Sequence, residues 1–163
     1  MRVSIFVLFG LLTVAACSGS ASAPAAPTST SNVTPTILAG TWTGSSTDTS
    51  GQANMTWILS PSGDTVTGTT SISSTARSMM GNGTMQGAFS GTTMTFQMTV
   101  PSGGFTGMMS SCSMGLNGQA TLSSDGRTMT GTYSGSLSGM MSGGMMGQSC
   151  GGAMNNGQFT LTR

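Results

Sequence analysis

The sequence predicts an all-β protein, an eight-stranded antiparallel up-and-down barrel that follows a signal peptide and a flexible tether. From Leu38 onward, apolar residues alternate with Thr, Ser, Gln and Asn, which is the period of a half-buried strand. Short polar turn sequences separate the alternating segments. No helical pattern is available to cover the apolar faces, so we expect the sheet to close on itself.

Eight segments show this alternation. They are residues 38–46, 52–60, 65–73, 83–90, 92–100, 113–123, 128–138 and 157–163. Glycines occur inside several of them, including Gly44, Gly68 and Gly131. Glycine weakens a flat sheet, but it lets strands bend at the corners of a small barrel. The interior glycines therefore favour closure.

An up-and-down order predicts that the two ends of the barrel differ. The turns at 61–64, 90–92 and 124–127 fall at one end and are short. The connections at the other end are mostly longer, and they are residues 47–51, 74–82, 101–112 and 139–156. We therefore expect a closed end and a mouth lined by loops.

A three-residue motif and the last residue point to a family. Gly40-Thr41-Trp42 enters the first strand and Arg163 ends the last, which resembles the lipocalin and wider calycin signature. The resemblance implies a calycin-like barrel in which the arginine packs over the tryptophan and closes the base. Gly40, Trp42 and Arg163 are thus structural residues, and no ligand-binding residue follows from the resemblance.

The same alternation would suit a transmembrane barrel whose apolar face points outward. Such barrels carry aromatic girdles, and this chain has only two Trp and one Tyr. We therefore favour an inward apolar face.

The N-terminus has the pattern of an export signal. Arg2 precedes an apolar run from Val3 to Ala16, which is too short to span a bilayer. The run ends in Val14-Ala15-Ala16-Cys17, which resembles the lipobox of bacterial lipoproteins. That resemblance implies cleavage before Cys17 and lipidation of its thiol. The alternative is an ordinary signal peptide in which Cys17 is incidental.

These patterns divide the chain into a lipoprotein signal peptide at 1–16, a Ser/Ala/Pro/Thr tether at 17–36 and a barrel domain at 37–163. Two or three acyl chains would hold the protein firmly on a membrane, whereas one would not. Ser18 stands where an aspartate would retain many lipoproteins in the inner membrane. We therefore expect an anchor in the bacterial cell envelope, with the outer membrane favoured.

The composition argues against catalysis. The chain has no His, Glu or Lys, and beyond the signal peptide three arginines balance three aspartates. Acid–base catalysis, activated nucleophiles and hard-metal sites need groups that are missing here. No basic patch is available for nucleic-acid phosphates. We expect no enzyme activity, no cofactor and no nucleic-acid partner.

Methionine is unusually frequent, at 16 residues in 163. Four pairs fall in the segments assigned to the mouth, namely Met79, Met80, Met108, Met109, Met140, Met141, Met145 and Met146. One interpretation is low-complexity loops that tolerate Met. A second is an adaptable apolar rim for a small hydrophobic ligand or an exported protein. A third is a Cu(I) site of thioethers.

Cys112 and Cys150 remain as a pair once Cys17 is lipidated. In an oxidising compartment they are expected to form a disulfide, which would contribute roughly 4 kcal/mol on the loop-entropy model. A Met/Cys copper cluster with thiolate ligands is the alternative. For function, we expect binding at the Met-rich mouth. The rival is a structural or inhibitor-type module with a filled interior.

Overall fold

The computed structural model describes residues 35–74, 78–140 and 149–163. The side chains of residues 35, 36 and 108 are not among those described. Eight strands and two short 3-10 helices make up the described chain. The strands are β1 (Gly40–Asp48), β2 (Gly51–Ser62), β3 (Thr65–Ser74), β4 (Met79–Ser90), β5 (Thr93–Val100), β6 (Cys112–Leu122), β7 (Thr128–Gly139) and β8 (Gly152–Thr162). The 3-10 helices are Pro35–Leu38 and Gly107–Met109.

The strands form a closed barrel in which each strand pairs antiparallel with its neighbour in sequence, and β8 returns to pair with β1. The predicted eight-stranded up-and-down barrel is therefore confirmed. We call the end with the turns β2–β3, β4–β5 and β6–β7 the base. The opposite end, where β1 leads to β2, β3 to β4, β5 to β6 and β7 to β8, is the loop end.

The apolar residues of each strand face the barrel interior. β5 shows this most simply: Met94, Phe96, Met98 and Val100 are buried, while the Thr and Gln residues between them are exposed. This is the reverse of a transmembrane barrel, whose apolar residues face outward. Within the described ranges, no helix has the length and apolar character needed to cross a membrane.

Two strands begin at least four residues earlier than the sequence predicted. β4 starts at Met79 rather than Gly83, and β8 starts at Gly152 rather than Gly157. β8 contains a register irregularity opposite Tyr133 and Gly135, which accommodates Asn156 with a φ of 55°. Such a bulge interrupts the period of two, so the alternation on its N-terminal side was not recognised. The loop end is correspondingly shorter than expected.

The base is closed by the N-terminal 3-10 helix, which the sequence did not predict. Leu38 ends this helix and is fully buried, and its carbonyl oxygen accepts a hydrogen bond of 3.0 Å from Trp42 Nε1. The Arg163 guanidinium donates to the carbonyl of Ile37 and lies 5.8 Å from the centre of the Trp42 ring. The arginine thus covers the tryptophan, which is the arrangement that the calycin resemblance implies.

The β6–β7 turn at the base is held by Asp125. Ser123 Oγ donates to its Oδ1 at 2.5 Å, and the Arg127 amide donates to the same atom at 3.1 Å. These two hydrogen bonds, that of Ser123 first, lower the pKa of Asp125 below its ordinary value. This carboxylate therefore serves local backbone bonding, which is common for aspartate in a turn such as Ser124-Asp125-Gly126.

Inside the barrel, aromatic rings occupy the space left by glycines on the neighbouring strand. Phe159 is the direct cross-strand partner of Gly131, and Phe96 is the partner of Gly118. A Cβ placed on Gly131 would lie 2.5 Å from the Phe159 ring and 2.2 Å from the Gln119 carbonyl oxygen. A Cβ on Gly118 would lie 2.6 Å from the Phe96 ring. Neither ring could keep its position if its partner glycine carried a side chain.

We expect Gly131→Ala to destabilise the barrel by at least about 2 kcal/mol, because the added methyl group overlaps a ring and a backbone oxygen that cannot both move. Gly115→Ala is the matched control. Gly115 lies on the adjacent strand β6, its Cβ would meet nothing within 4 Å, and the loss of chain flexibility should leave stability unchanged or slightly higher. Urea unfolding of both variants measures this difference in stability. Equal unfolding midpoints would contradict the proposed fit between the Phe159 ring and Gly131.

Candidate functional site

The centre of the barrel is filled by aromatic side chains. Trp57 contacts Phe96 and Phe159, with ring centres 5.0 Å apart in each pair. Phe96 and Phe159 contact each other edge-to-face at 5.8 Å, and Tyr133 lies 6.4 Å from Phe159. These distances are those of well-packed aromatic pairs. The cluster therefore blocks the passage from the loop end to the base.

A small cavity remains above this cluster, at the loop end. Its volume is about 30 Å³, which is room for one or two water molecules. Pockets for drug-sized molecules have volumes of roughly 300–1,000 Å³. The cavity is lined mainly by apolar side chains, which come from every strand except β1 and β5. They are Ala53, Met55, Ile72, Met79, Met114, Leu116, Tyr133 and Met154.

One carboxylate stands at the edge of this cavity. Asp48 ends β1, and its Oδ2 accepts a hydrogen bond of 2.8 Å from the Tyr133 hydroxyl. Its Oδ1 accepts a hydrogen bond of 2.6 Å from the Ser50 amide. Both oxygens are therefore engaged, which fixes the carboxylate beside the cavity. The sequence predicted a connection at residues 47–51, whereas Asp48 belongs to the end of β1.

Two buried polar atoms lie one layer below the cavity. Trp57 Nε1 and Thr70 Oγ1 have no hydrogen-bond partner in the described structure. Trp57 and Thr70 are cross-strand partners, as are Met55 and Ile72 one step nearer the loop end. Because Met55 and Ile72 line the cavity, the unpaired atoms belong to the next layer inward. Unpaired buried polar groups are uncommon, since each costs about 1–3 kcal/mol.

The loop from β5 to β6 folds back over the loop end. Gly104 O accepts a hydrogen bond of 2.8 Å from the Asn82 amide, and the Thr106 amide donates to Met80 O at 3.0 Å. These bonds place the buried Phe105 ring against Gly81, where a Cβ would lie 2.4 Å from it. The Phe105 side chain therefore covers part of the loop end of the barrel. Sequence reasoning missed this because no alternation marks the segment as paired.

The structure separates the predicted mouth methionines into two groups. The prediction that Met79 and Met80 lie in a loop is wrong, because both belong to β4. Met79 is buried and Met80 is exposed, as expected for successive residues of a strand. Met109 ends the second 3-10 helix and is also buried, whereas Met140 directly follows β7 and is 72% exposed.

Several predicted residues cannot be placed. Met141, Met145 and Met146 lie outside the described residues, as does Cys17, and the side chain of Met108 is not described. Three other methionines face the cavity although the sequence analysis did not single them out. They are Met55, Met114 and Met154. Alternation with polar residues marked Met55 and Met114 as inward-facing, whereas Met154 fell in the predicted loop 139–156. Nothing in the sequence indicated that the three share one cavity.

The predicted disulfide between Cys112 and Cys150 is present in the structure, with Cα atoms 5.9 Å apart. Cys112 begins β6 and Cys150 lies two residues before the start of β8, and both are buried. With both sulfurs in the bond, neither is available as a thiolate ligand. Over the described ranges, no group of three or more His, Cys, Asp or Glu side chains could hold a metal ion.

The outer face of β6, β7 and β8 forms a separate groove of about 550 Å³, wide open to solvent. Its lining is amides and hydroxyls without charge, including Asn117, Gln119, Asn156 and Gln158. An uncharged polar groove of this kind has no apolar centre to drive binding. It is therefore a weaker candidate than the loop end.

Reducing the disulfide should lower the free energy of unfolding by about 4 kcal/mol, because the bond removes freedom from the unfolded chain between residues 38 positions apart. Urea unfolding with and without reductant measures this difference. The variant Cys112→Ser/Cys150→Ser should match the reduced protein and should not respond to reductant. An unchanged midpoint in the reduced protein would contradict the expectation.

Comparison with known proteins adds no further assignment, because no family model, no curated protein and no solved structure matches this chain. The barrel is consistent with a calycin-like domain through its strand order and the contact of Arg163 with Trp42.

Proposed function

We propose that this protein is a lipid-anchored binding module of the bacterial envelope that contacts an exported protein through its loop end. The proposal rests on one observation: the barrel interior is filled, and its cavity of about 30 Å³ is too small for a drug-sized molecule. Anything larger than a single ion or one or two water molecules must then bind on the outside. The small hydrophobic ligand considered from the sequence is thereby disfavoured.

The exposed apolar side chains support the loop end as the contact surface. Met80 is 55% exposed and Met140 is 72% exposed, and both lie at this end. Methionine is enriched in the centres of protein interfaces, and its flexible thioether adapts to different partner surfaces. The other two exposed large apolar side chains of the described chain, Ile37 and Ile58, lie toward the base and are less exposed than the two methionines. The outer faces of the strands otherwise carry mainly Thr, Ser, Asn and Gln. An apolar partner surface would therefore find its best match at the loop end.

A structural or inhibitor-type module remains the second candidate, and the filled interior favours it equally. The two candidates differ in what the exposed methionines do. A binding module uses them to hold a partner, whereas a purely structural module has no use for them. Crosslinking at these positions separates the two.

A photoreactive amino acid placed at position 80 or 140 should form one discrete protein adduct in cells. The same probe at Ile58 is the control, because Ile58 is 52% exposed on β2 but lies toward the base. Against the partner identified in this way, Met80→Ser should weaken binding roughly tenfold, as loss of an apolar contact at an interface centre does. Equal adducts at 58, or none at 80 and 140, would leave only the structural module.

The anchor is part of the proposal, since residues 1–34 lie outside the described structure. We propose that residues 1–16 are a lipoprotein signal peptide and that Cys17 carries the lipid. The tether then runs from 17 to 34, since the 3-10 helix begins at Pro35. The outer membrane is the favoured site. The lipobox-like Val14-Ala15-Ala16-Cys17 supports this assignment.

Cys17→Ser should abolish labelling with radioactive palmitate and move the protein out of the membrane fraction. The physical reason is that each buried methylene contributes about 0.8 kcal/mol to anchoring, and all of them are lost together. The variant Cys112→Ser/Cys150→Ser is the matched control, because it removes the other two cysteines and should keep the label. Palmitate on the Cys17→Ser protein would refute the anchor.

A further inference from the structure

Four methionines surround the loop-end cavity, one from each even-numbered strand. Met55 belongs to β2, Met79 to β4, Met114 to β6 and Met154 to β8, and all four are buried. In eight-stranded barrels, inward side chains from alternate strands form layers around the axis. These four side chains therefore approach one small space from four sides.

Cavity size limits what this space can hold. About 30 Å³ accepts a single ion or one or two waters, and nothing larger without displacement of the lining side chains. The lining also carries polar groups, from Asp48, Ser50, Gln52 and Ser74, so a water molecule fits the cavity as well as an ion does. The four thioether sulfurs, rather than the volume, favour an ion. A single cation with sulfur ligands satisfies both the size and the chemistry.

Packing alone explains the cavity poorly. Methionine is flexible and normally fills gaps in a core, and protein interiors leave few voids. Nine methionines are buried in the described chain: Met55, Met79, Met85, Met94, Met98, Met109, Met114, Met129 and Met154. The cavity is partly open at the loop end, and four of these adaptable side chains line it without filling it. A site for a small occupant accounts for that arrangement.

The donor set selects the class of cation. Thioether sulfur is a soft ligand and favours Cu(I) among biological metals. Calcium and magnesium need six or more oxygen ligands, and zinc needs His, thiolate or carboxylate ligands. In the described part of the chain no three such groups stand together, Asp48 is the one carboxylate in the cavity lining, and Cys112 and Cys150 are joined in a disulfide. Other metals are therefore disfavoured here.

Charge at the cavity edge agrees with a cation. The Asp48 carboxylate lies in the cavity lining and is held there by the Tyr133 hydroxyl and the Ser50 amide. A neutral thioether cage leaves the charge of a bound ion uncompensated, and a fixed carboxylate nearby lowers that cost. A monovalent ion matches this one negative charge.

We propose that the loop-end cavity binds one monovalent soft cation, Cu(I) in the cell, with the thioether sulfurs of Met55, Met79, Met114 and Met154 as its ligands. This site differs from a copper cluster on the loops, because three of its four methionines lie outside the predicted loop pairs and it uses no thiolate. It is also independent of the partner surface, where Met80 and Met140 point outward.

The test uses the full-length chain in detergent, with Ag(I) as a redox-inert probe and Cu(I) under anaerobic conditions. Native mass spectrometry should show one ion per chain. Met55→Leu/Met114→Leu conserves side-chain volume and removes two ligands. We expect the affinity of this variant to fall on the order of a hundredfold, since loss of even indirect ligand support costs roughly 10–100-fold.

Two control variants locate the site. Met85→Leu/Met129→Leu alters two buried methionines that do not line the cavity, and it should bind like the wild type. Leucine at Met80, Met140, Met141, Met145 and Met146 together should also leave binding unchanged. The proposal is overturned if the wild type binds no ion, if the cavity variant keeps its affinity, or if the loop variant loses it.

X-ray absorption at the copper edge of the wild type provides a readout that does not depend on the folding of any variant. Sulfur neighbours alone are expected around the copper. Oxygen or nitrogen neighbours in place of sulfur would contradict the thioether site. Failure of this proposal would leave the partner-binding proposal intact, because the crosslinking experiment does not involve the cavity.

Discussion

The fold depends on the fit between inward-facing rings and inward-facing glycines. Phe159 covers Gly131 and Phe96 covers Gly118, each as direct partners across a strand pair, and Tyr133 covers Gly157 in the same way. Glycine allows the strand to bend at these points, and the neighbouring ring restores the packing that glycine gives up. A tight barrel can therefore close without leaving a void at its centre.

This packing determines where the barrel can function. The aromatic cluster around Trp57 fills the middle, and the Arg163–Trp42 contact with the 3-10 helix Pro35–Leu38 closes the base. The cavity lies toward the loop end. Methionines from four strands line it, and their side chains are flexible. Any small occupant must therefore enter above the aromatic layer.

Sequence reasoning predicted the fold well because the alternation of residues such as those in β5 encodes both strand and orientation. The short turns then predicted that strands adjacent in sequence pair with each other. This up-and-down order in turn predicted which connections lie at the same end of the barrel. The prediction is wrong where apolar and polar residues do not alternate. Met79 and Met80 are both apolar, so the sequence pattern did not indicate that β4 begins there. The bulge at Asn156 also interrupts the alternation, so the sequence pattern did not predict the first half of β8 as a strand.

The cavity could not have been predicted from the sequence for a related reason. Its lining comes from seven strands, so it depends on register and stagger around the closed barrel, which alternation does not specify. The sequence marked Met55 and Met114 as inward-facing, but it did not show that they meet Met79 and Met154. Nor could it show that Tyr133 would reach Asp48, 85 positions away.

The disulfide and the methionines are connected through the chemistry of the compartment. Where conditions oxidise Cys112 and Cys150 to a disulfide, thiolates are withdrawn as metal ligands, and thioethers remain as the soft donors of the described chain. The bond also ties the start of β6 to the segment that precedes β8, the two strands that supply Met114 and Met154. The same oxidation that removes one class of ligand therefore fixes the strands that carry the other.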